Sequence, residues 1–211
     1  MSVHAVGDHQ RAVPILSALA RTLRGRGQFG LLTQVLSMLQ WNAVMLEQWK
    51  LTERSALEGD RLARDSGQRI WGAGILCGLS VVAAIHAEAE RADQLASEAE
   101  AIIVPHRLAD MHSVLITARG IAALRAGRPE DAFAVLQRAF DPHDPGFHYR
   151  EQFGALKPFA ETATASGHTV EARATVDSLL AVAGPETSPA LREAVTSARL
   201  TLERATPNVP G

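Results

Sequence analysis

The sequence predicts an all-α fold: an α-solenoid of about four helical hairpins, each forty residues long, with flanking helices and about ten helices in all. Three observations carry this reading. Apolar residues recur with a period of 3.6 along the whole chain, and no stretch shows the alternation of a strand. Small and apolar residues repeat at a spacing of forty: Ala43, Ala83, Ala123 and Ala163; Leu36, Leu76, Ile116 and Leu156; Thr52, Ala92, Ala132 and Ala172. Two further registers, Ala56, Ala96, Leu136, Val176 and Gln40, Ser80, Gly120, Ala160, hold without an insertion. Finally, Met111 to Phe140 reads as two helical patterns hinged at Gly127-Arg128-Pro129. Gly127 suits the left-handed geometry that closes a helix, and Pro129 suits the first turn of the next.

The elements follow in chain order. Residues 9–25 place Val13, Leu16, Leu19, Ala20 and Leu23 at helical spacing, with Asp8 as N-cap and Pro14 near the first turn. First helices of the hairpins are expected at 30–46, 69–86, 109–126 and 149–166, and second helices at 51–66, 90–104, 129–140 and 169–183. Turns fall at 47–50, 87–90, 127–129 and 167–169, which puts Trp49 in a turn. Gly67, Pro105 and Gly184-Pro185 close second helices. Residues 188–205 form a last helix opened by Ser188 and Pro189, and Thr206 to Gly211 form a loose tail. The repeats lie at about 30–69, 70–109, 110–149 and 150–189 within one domain, 1–211. One hairpin cannot bury its apolar face alone; stacking buries each face against the next, and small residues let the backbones approach.

Composition narrows the function classes. Apolar residues make up 46% of 211, enough for a sizeable core. A net charge of -2 without blocks of like charge argues against a nucleic-acid surface. Cys77 is the only cysteine, so no internal disulfide forms and a reducing cytoplasm fits. The N-terminus lacks the basic start and apolar core of a signal peptide. The uncharged run Ile70 to Ile85 is short for a membrane span, contains Gly72, Gly74 and Gly78, and falls in register with less apolar helices. It is expected to be a helix buried on all sides within the array, not a membrane segment.

Within the unit, Leu36, Gln40, Ala43, Thr52, Ala56 and Gly59 stand at the large-small-small spacing of tetratricopeptide repeats, and Ile116, Gly120, Ala123, Ala132, Leu136 and Ala139 match it best. The chain resembles that repeat family, with units of forty rather than the usual thirty-four. The resemblance implies a right-handed superhelix. The segments "GDHQRAVPILSAL", "LEQWKLTERSALEGDRLARDSGQ", "ARGIAALRAGRPEDAFAVLQRAFDPHDPGFH" and "LKPFAETATASGHTVEAR" are similar to the helical-repeat region of large LuxR-type ATP-binding transcriptional regulators. Those proteins also carry an ATPase domain and a helix-turn-helix. This sequence has no G-x-x-x-x-G-K-[ST] loop, and residues 188–205 do not read as a DNA-reading unit, so neither activity is carried over.

The repeat resemblance implies that first helices line a concave groove. Its positions here are Gln34, Ser37, Trp41, Val44 and Met45, then Cys77, Val81 and Ile85, then Val114, Thr117, Ile121 and Arg125, then Lys157 and Glu161. Trp41, Met45, Cys77 and Val81 suggest an apolar pocket; alternatively helix 9–25 folds over Trp41 and Met45 as core. Arg119 is anomalous, because its register partners Leu39, Leu79 and Phe159 are apolar. With His112 and Gln152 it makes a polar seam beside Gly72 that could hold a carboxylate or phosphate. The competing reading is a structural arginine bonded to Asp110, Glu88 or backbone carbonyls. The loop Asp141 to Tyr149 mixes His and Asp at spacings that fit no metal site, and Asp141 or Asp144 is expected to cap it. Trp49 and Trp71 read as packing residues. No cofactor and no catalytic triad is expected.

Two functions follow. The first is a regulatory binding module taking a protein partner or a small apolar or anionic ligand in the groove, without direct nucleic-acid or membrane contact, with dimerisation possible. The second is a stand-alone pocket protein or enzyme that recycled the groove, which a closed cavity lined by Arg119 and His112 would favour and a shallow, open groove would disfavour.

Overall fold

A computed structural model describes residues 8–182 and 189–205. Among these residues there are ten α-helices and no strand. They are α1 (His9–Gly25), α2 (Phe29–Met45), α3 (Trp49–Ser66), α4 (Arg69–Ile85), α5 (Ala89–Ile103), α6 (Ala109–Arg125), α7 (Pro129–Gln137), α8 (Gln152–Ser166), α9 (Thr169–Val182) and α10 (Pro189–Ala205). A 3-10 turn, Arg138–Phe140, ends α7 early. Trp49 opens α3 rather than sitting in the preceding turn, and α8 starts at Gln152 rather than at 149. The expected closure at Gly184-Pro185, the opening at Ser188 and the tail at 206–211 lie outside the described residues.

Every helix except α8 starts twenty residues after the one before, or forty after the one before that, from His9 to Pro189. The forty-residue repeat is therefore two alternating helices of one pitch. The turns explain the regularity. Gly27, Glu47, Gly67, Ala87, Arg107 and Gly127 all have φ between 52° and 72°. After each of them the next backbone N–H reaches back across the turn: Gln28 to Leu23 O (3.0 Å), Gln48 to Ala43 O (2.9 Å), Gln68 to Ala63 O (2.9 Å), Glu88 to Ala83 O (2.9 Å), Leu108 to Ile103 O (3.2 Å) and Arg128 to Ala123 O (3.0 Å). These are Schellman closures, which satisfy carbonyls that a helix end leaves unpaired. Each reverses the chain in three residues, so consecutive helices pack as hairpins.

The helices form two layers. The even helices pack in series, α2 on α4, α4 on α6, α6 on α8 and α8 on α10, while the odd helices pack mainly onto the even ones. Thus α4 touches α2, α3, α5 and α6, which accounts for its apolar run: Ala73 and Ala84 are wholly buried on one side of it and Ile75 on the other. No helix among the described residues is long and apolar enough to cross a membrane. Close approach depends on small residues. A Cβ at Gly120 would lie 2.3 Å from Leu136 Cγ, and one at Gly78 would lie 2.8 Å from Gln40 Nε2. The buried Gln40 uses that space to donate to Ile75 O at 3.0 Å, tying α2 to α4.

The terminal helices are not appendages. α1 occupies the place of a second helix and α10 that of a first helix, each half a repeat. α10 buries Val195, Ala198 and Leu202 against α8 and α9. At the positions where the array keeps Gly120 or Ala160 and Ala123 or Ala163, α10 carries Leu200 and Glu203, both exposed.

Candidate functional site

The inner layer curves until its two ends face one cavity of about 530 Å³. From α2 come Trp41, Val44 and Met45; from α4, Val81 and Ile85; from α6, Thr117, Ile121, Leu124 and Arg125. α8 supplies Phe153, Gly154, Lys157, Pro158 and Glu161, and α10 closes the far wall with Ala190, Glu193, Ala194 and Ser197. Glu47 joins them from the turn between α2 and α3, and Trp49 from the first position of α3. The even helices aim these residues inward because their other faces are taken by the odd helices, as the burial of Leu36, Ala43, Leu76 and Ala83 shows. The wall is apolar; charge gathers at exposed positions, with Arg125 and Lys157 against Glu47, Glu161 and Glu193. Such a volume suits a small organic ligand or a few peptide residues.

Two side lobes adjoin it. One of about 150 Å³ lies among His9, Trp41, Met45, Arg150, Glu151 and Leu191, so the first and last helices share a wall. The other, about 110 Å³, lies between Trp41 and Trp71 over Gly74 and Met111. Gly74 is required there, because a Cβ would sit 2.7 Å from Ser37 Oγ.

The expected groove residues divide as follows. Trp41, Met45 and Val81 line the cavity, and Met45 is 38% exposed. α1 does not fold over them; it packs on Leu32, Val35, Leu36 and Leu39 instead. Ser37 and Val114 line the small lobe. Cys77 is buried beneath the wall, its thiol directed to Met111 O at 3.8 Å, and burial drives its pKa up, so it is no nucleophile. α10 supplies a wall that the reading of the sequence did not include, because its register residues Ala190 and Ala194 carry no signal of their own.

Arg119, His112 and Gln152 do not form the expected seam. Arg119 lies between α5 and α6, where Nη2 meets Glu100 Oε2 at 2.9 Å, Nη1 also pairs with Glu100, and Nε meets Asp93 at 3.1 Å. Glu100's hydrogen bond raises the guanidinium pKa above its ordinary value. The acidic partners are thus Glu100 and Asp93, not Asp110 or Glu88. His112 Nε2 stands 3.7 Å from the same Glu100, and burial lowers its pKa. Gln152 turns away and donates to Tyr149 O at 2.8 Å. The cluster sits between second and first helices, away from the cavity wall. In the loop after α7, Asp141 accepts from His143 N at 2.9 Å and Asp144 from Gly146 N at 2.8 Å. Burial alone would raise the Asp144 pKa, but Arg138 at 2.8 Å and the Gly146 N–H lower it on balance.

This geometry offers containment, an apolar wall and mixed charge at the mouth. Among the described residues, no hydrogen bond in its wall joins a nucleophile to a base and an orienting acid. Comparisons with protein-family models, with curated proteins and with solved structures find no match.

Proposed function

We propose that this chain is a binding module of the tetratricopeptide-like kind, related to the repeat region of LuxR-type regulators, that takes a small apolar ligand or an apolar peptide segment in its inner cavity. The observation that supports it is the cavity of about 530 Å³ walled by Trp41, Val81, Ile121 and Phe153 and closed by α10. Arg119 and His112, which would have favoured the enzyme alternative had they lined this cavity, stand elsewhere.

The test uses Gly154, which lines the cavity and whose substituted Cβ would meet nothing within 4 Å. Gly154→Phe therefore starts from open space at its Cβ and places a ring in the cavity, on a helix that gains propensity. N-phenyl-1-naphthylamine, an apolar fluorescent probe, is expected to brighten in the parent protein and not in Gly154→Phe, with circular dichroism unchanged. Equal brightening in both proteins would overturn the proposal.

A further inference from the structure

A second cavity, about 520 Å³, opens on the outer face between α1 and α3. Both helices pack on α2, so Leu36 and Leu39 form its floor, with Leu51 beside them. Arg21 and Arg24 from α1 and Arg54 from α3 surround it, and Glu58 is its one acidic residue. Arg24 is committed: its guanidinium holds Glu58 at 2.8 and 2.6 Å in a fork. Arg21 and Arg54 make no ion pair among the described residues. The cleft thus keeps two uncompensated guanidiniums over an apolar floor.

The repeat register shows why the cleft is open here. The residues forty later than Ser17, Ser55 and Arg54 are Leu57, Leu95 and Gln94. Of these, Leu95 is buried, so Ser55 leaves space that a leucine fills in the next unit, and Arg54 adds a cation; Leu57 is exposed and fills no such space. Ser17 and Ser55 both line the cavity, and Ser55 is only 2% exposed. A serine in place of one buried leucine, beside an added cation, forgoes packing at this point of the array.

We propose that this cleft binds an organic phosphate monoester, with the phosphoryl group between Arg21 and Arg54 and its apolar or aromatic part on Leu36, Leu39 and Leu51. A monoester carries nearly two negative charges at neutral pH, matching the two free guanidiniums, and planar guanidinium forks suit phosphate oxygens. Ser17 and Ser55 hydroxyls add neutral donors. The site is separate from the inner cavity and does not depend on it.

Phenyl phosphate is the probe, titrated by calorimetry into the full chain at low salt. Arg21→Gln and Arg54→Gln, both at exposed positions, are each expected to weaken it at least about tenfold, the loss of one charge-assisted contact. Arg64→Gln, on the same helix but outside the cleft, is expected to bind as the parent does. Phenol, which lacks the phosphoryl group, should not bind, and inorganic phosphate should bind more weakly than phenyl phosphate. Gly154→Phe should leave this binding intact. Absence of phenyl phosphate binding to the parent in the millimolar range, or an equal loss in Arg64→Gln, would overturn the assignment.

Discussion

At the scale of single residues, the Arg119 cluster shows how a charge is held in a layer of apolar neighbours. Its side chain keeps 29% of its surface in solvent and spends its donors on Glu100, Asp93 and Ser97. Arg119→Leu should therefore lower stability by roughly 1–3 kcal/mol, because Glu100 keeps its burial and loses its strongest partner. Urea denaturation measures it, and probe binding in the inner cavity should not change. The register singled out Arg119 because its counterparts are apolar, but no sequence spacing relates it to Glu100 on the neighbouring hairpin. His112 adds a pH dependence. Burial holds its pKa below 6.5 in the folded chain, so as pH falls the unfolded chain takes up the proton first and stability drops. His168 acts in the opposite sense: the hydrogen bond to Glu130 raises its pKa, and the stability it adds is complete below 6.5 and lost as pH rises through the raised value. His168 is solvated, where such pairs count for little, so His112 governs acidification. Denaturation midpoints of His112→Asn should fall less than those of the parent between about pH 7.5 and about pH 5.5.

At the scale of the helix and its turn, six repeated closures set the spacing. Gly27, Gly67 and Gly127 supply the left-handed residue at no steric penalty; Gly67 and Gly127 were legible in the sequence as helix stops, and Gly27 was not singled out. Glu47, Ala87 and Arg107 occupy the same position with φ of 55°, 63° and 52°, and nothing in their side chains announces it. Glu47 and Ala87 were found only through register, as turns of unspecified geometry, and Arg107 was not singled out, the stop there being read from Pro105. The strain of a Cβ there is about 1 kcal/mol. Ala87→Gly and Arg107→Gly should each raise stability by up to that amount, less the added freedom of the unfolded chain. Gly67→Ala should lower it by a similar amount. Thermal unfolding of the three variants checks the pattern, which requires opposite signs at positions that share one turn geometry.

At the scale of the whole molecule, helix number, order and spacing were legible because helical periodicity and small-residue registers are local or evenly repeated signals. The curvature that brings α10 across from Trp41 was not, since it sums small rotations between neighbours that no single residue records. Hence the inner wall contributed by Trp41, Val81 and Ile121 could be placed by register, whereas the lid from Ala190 and Ala194 could not. That lid depends on few contacts. α10 is anchored by Val195, Ala198 and Leu202, all essentially buried, and its opposite face is exposed. In a stacked array each helix pair answers mainly to its neighbours, so weakening the end should not unfold the middle. Leu202→Ala removes one wholly buried anchor, at a cost of about 2–5 kcal/mol in a packed core. The effect should appear locally: faster hydrogen exchange in α10 and α9, with α4 and α5 still protected. Probe affinity in the inner cavity should fall in step with the opening of α10, because the wall from Ala190 to Ser197 leaves with it. If affinity stayed at the parent level while α10 exchanged freely, the cavity would be made by the four preceding inner helices alone, and α10 would be only an end cap.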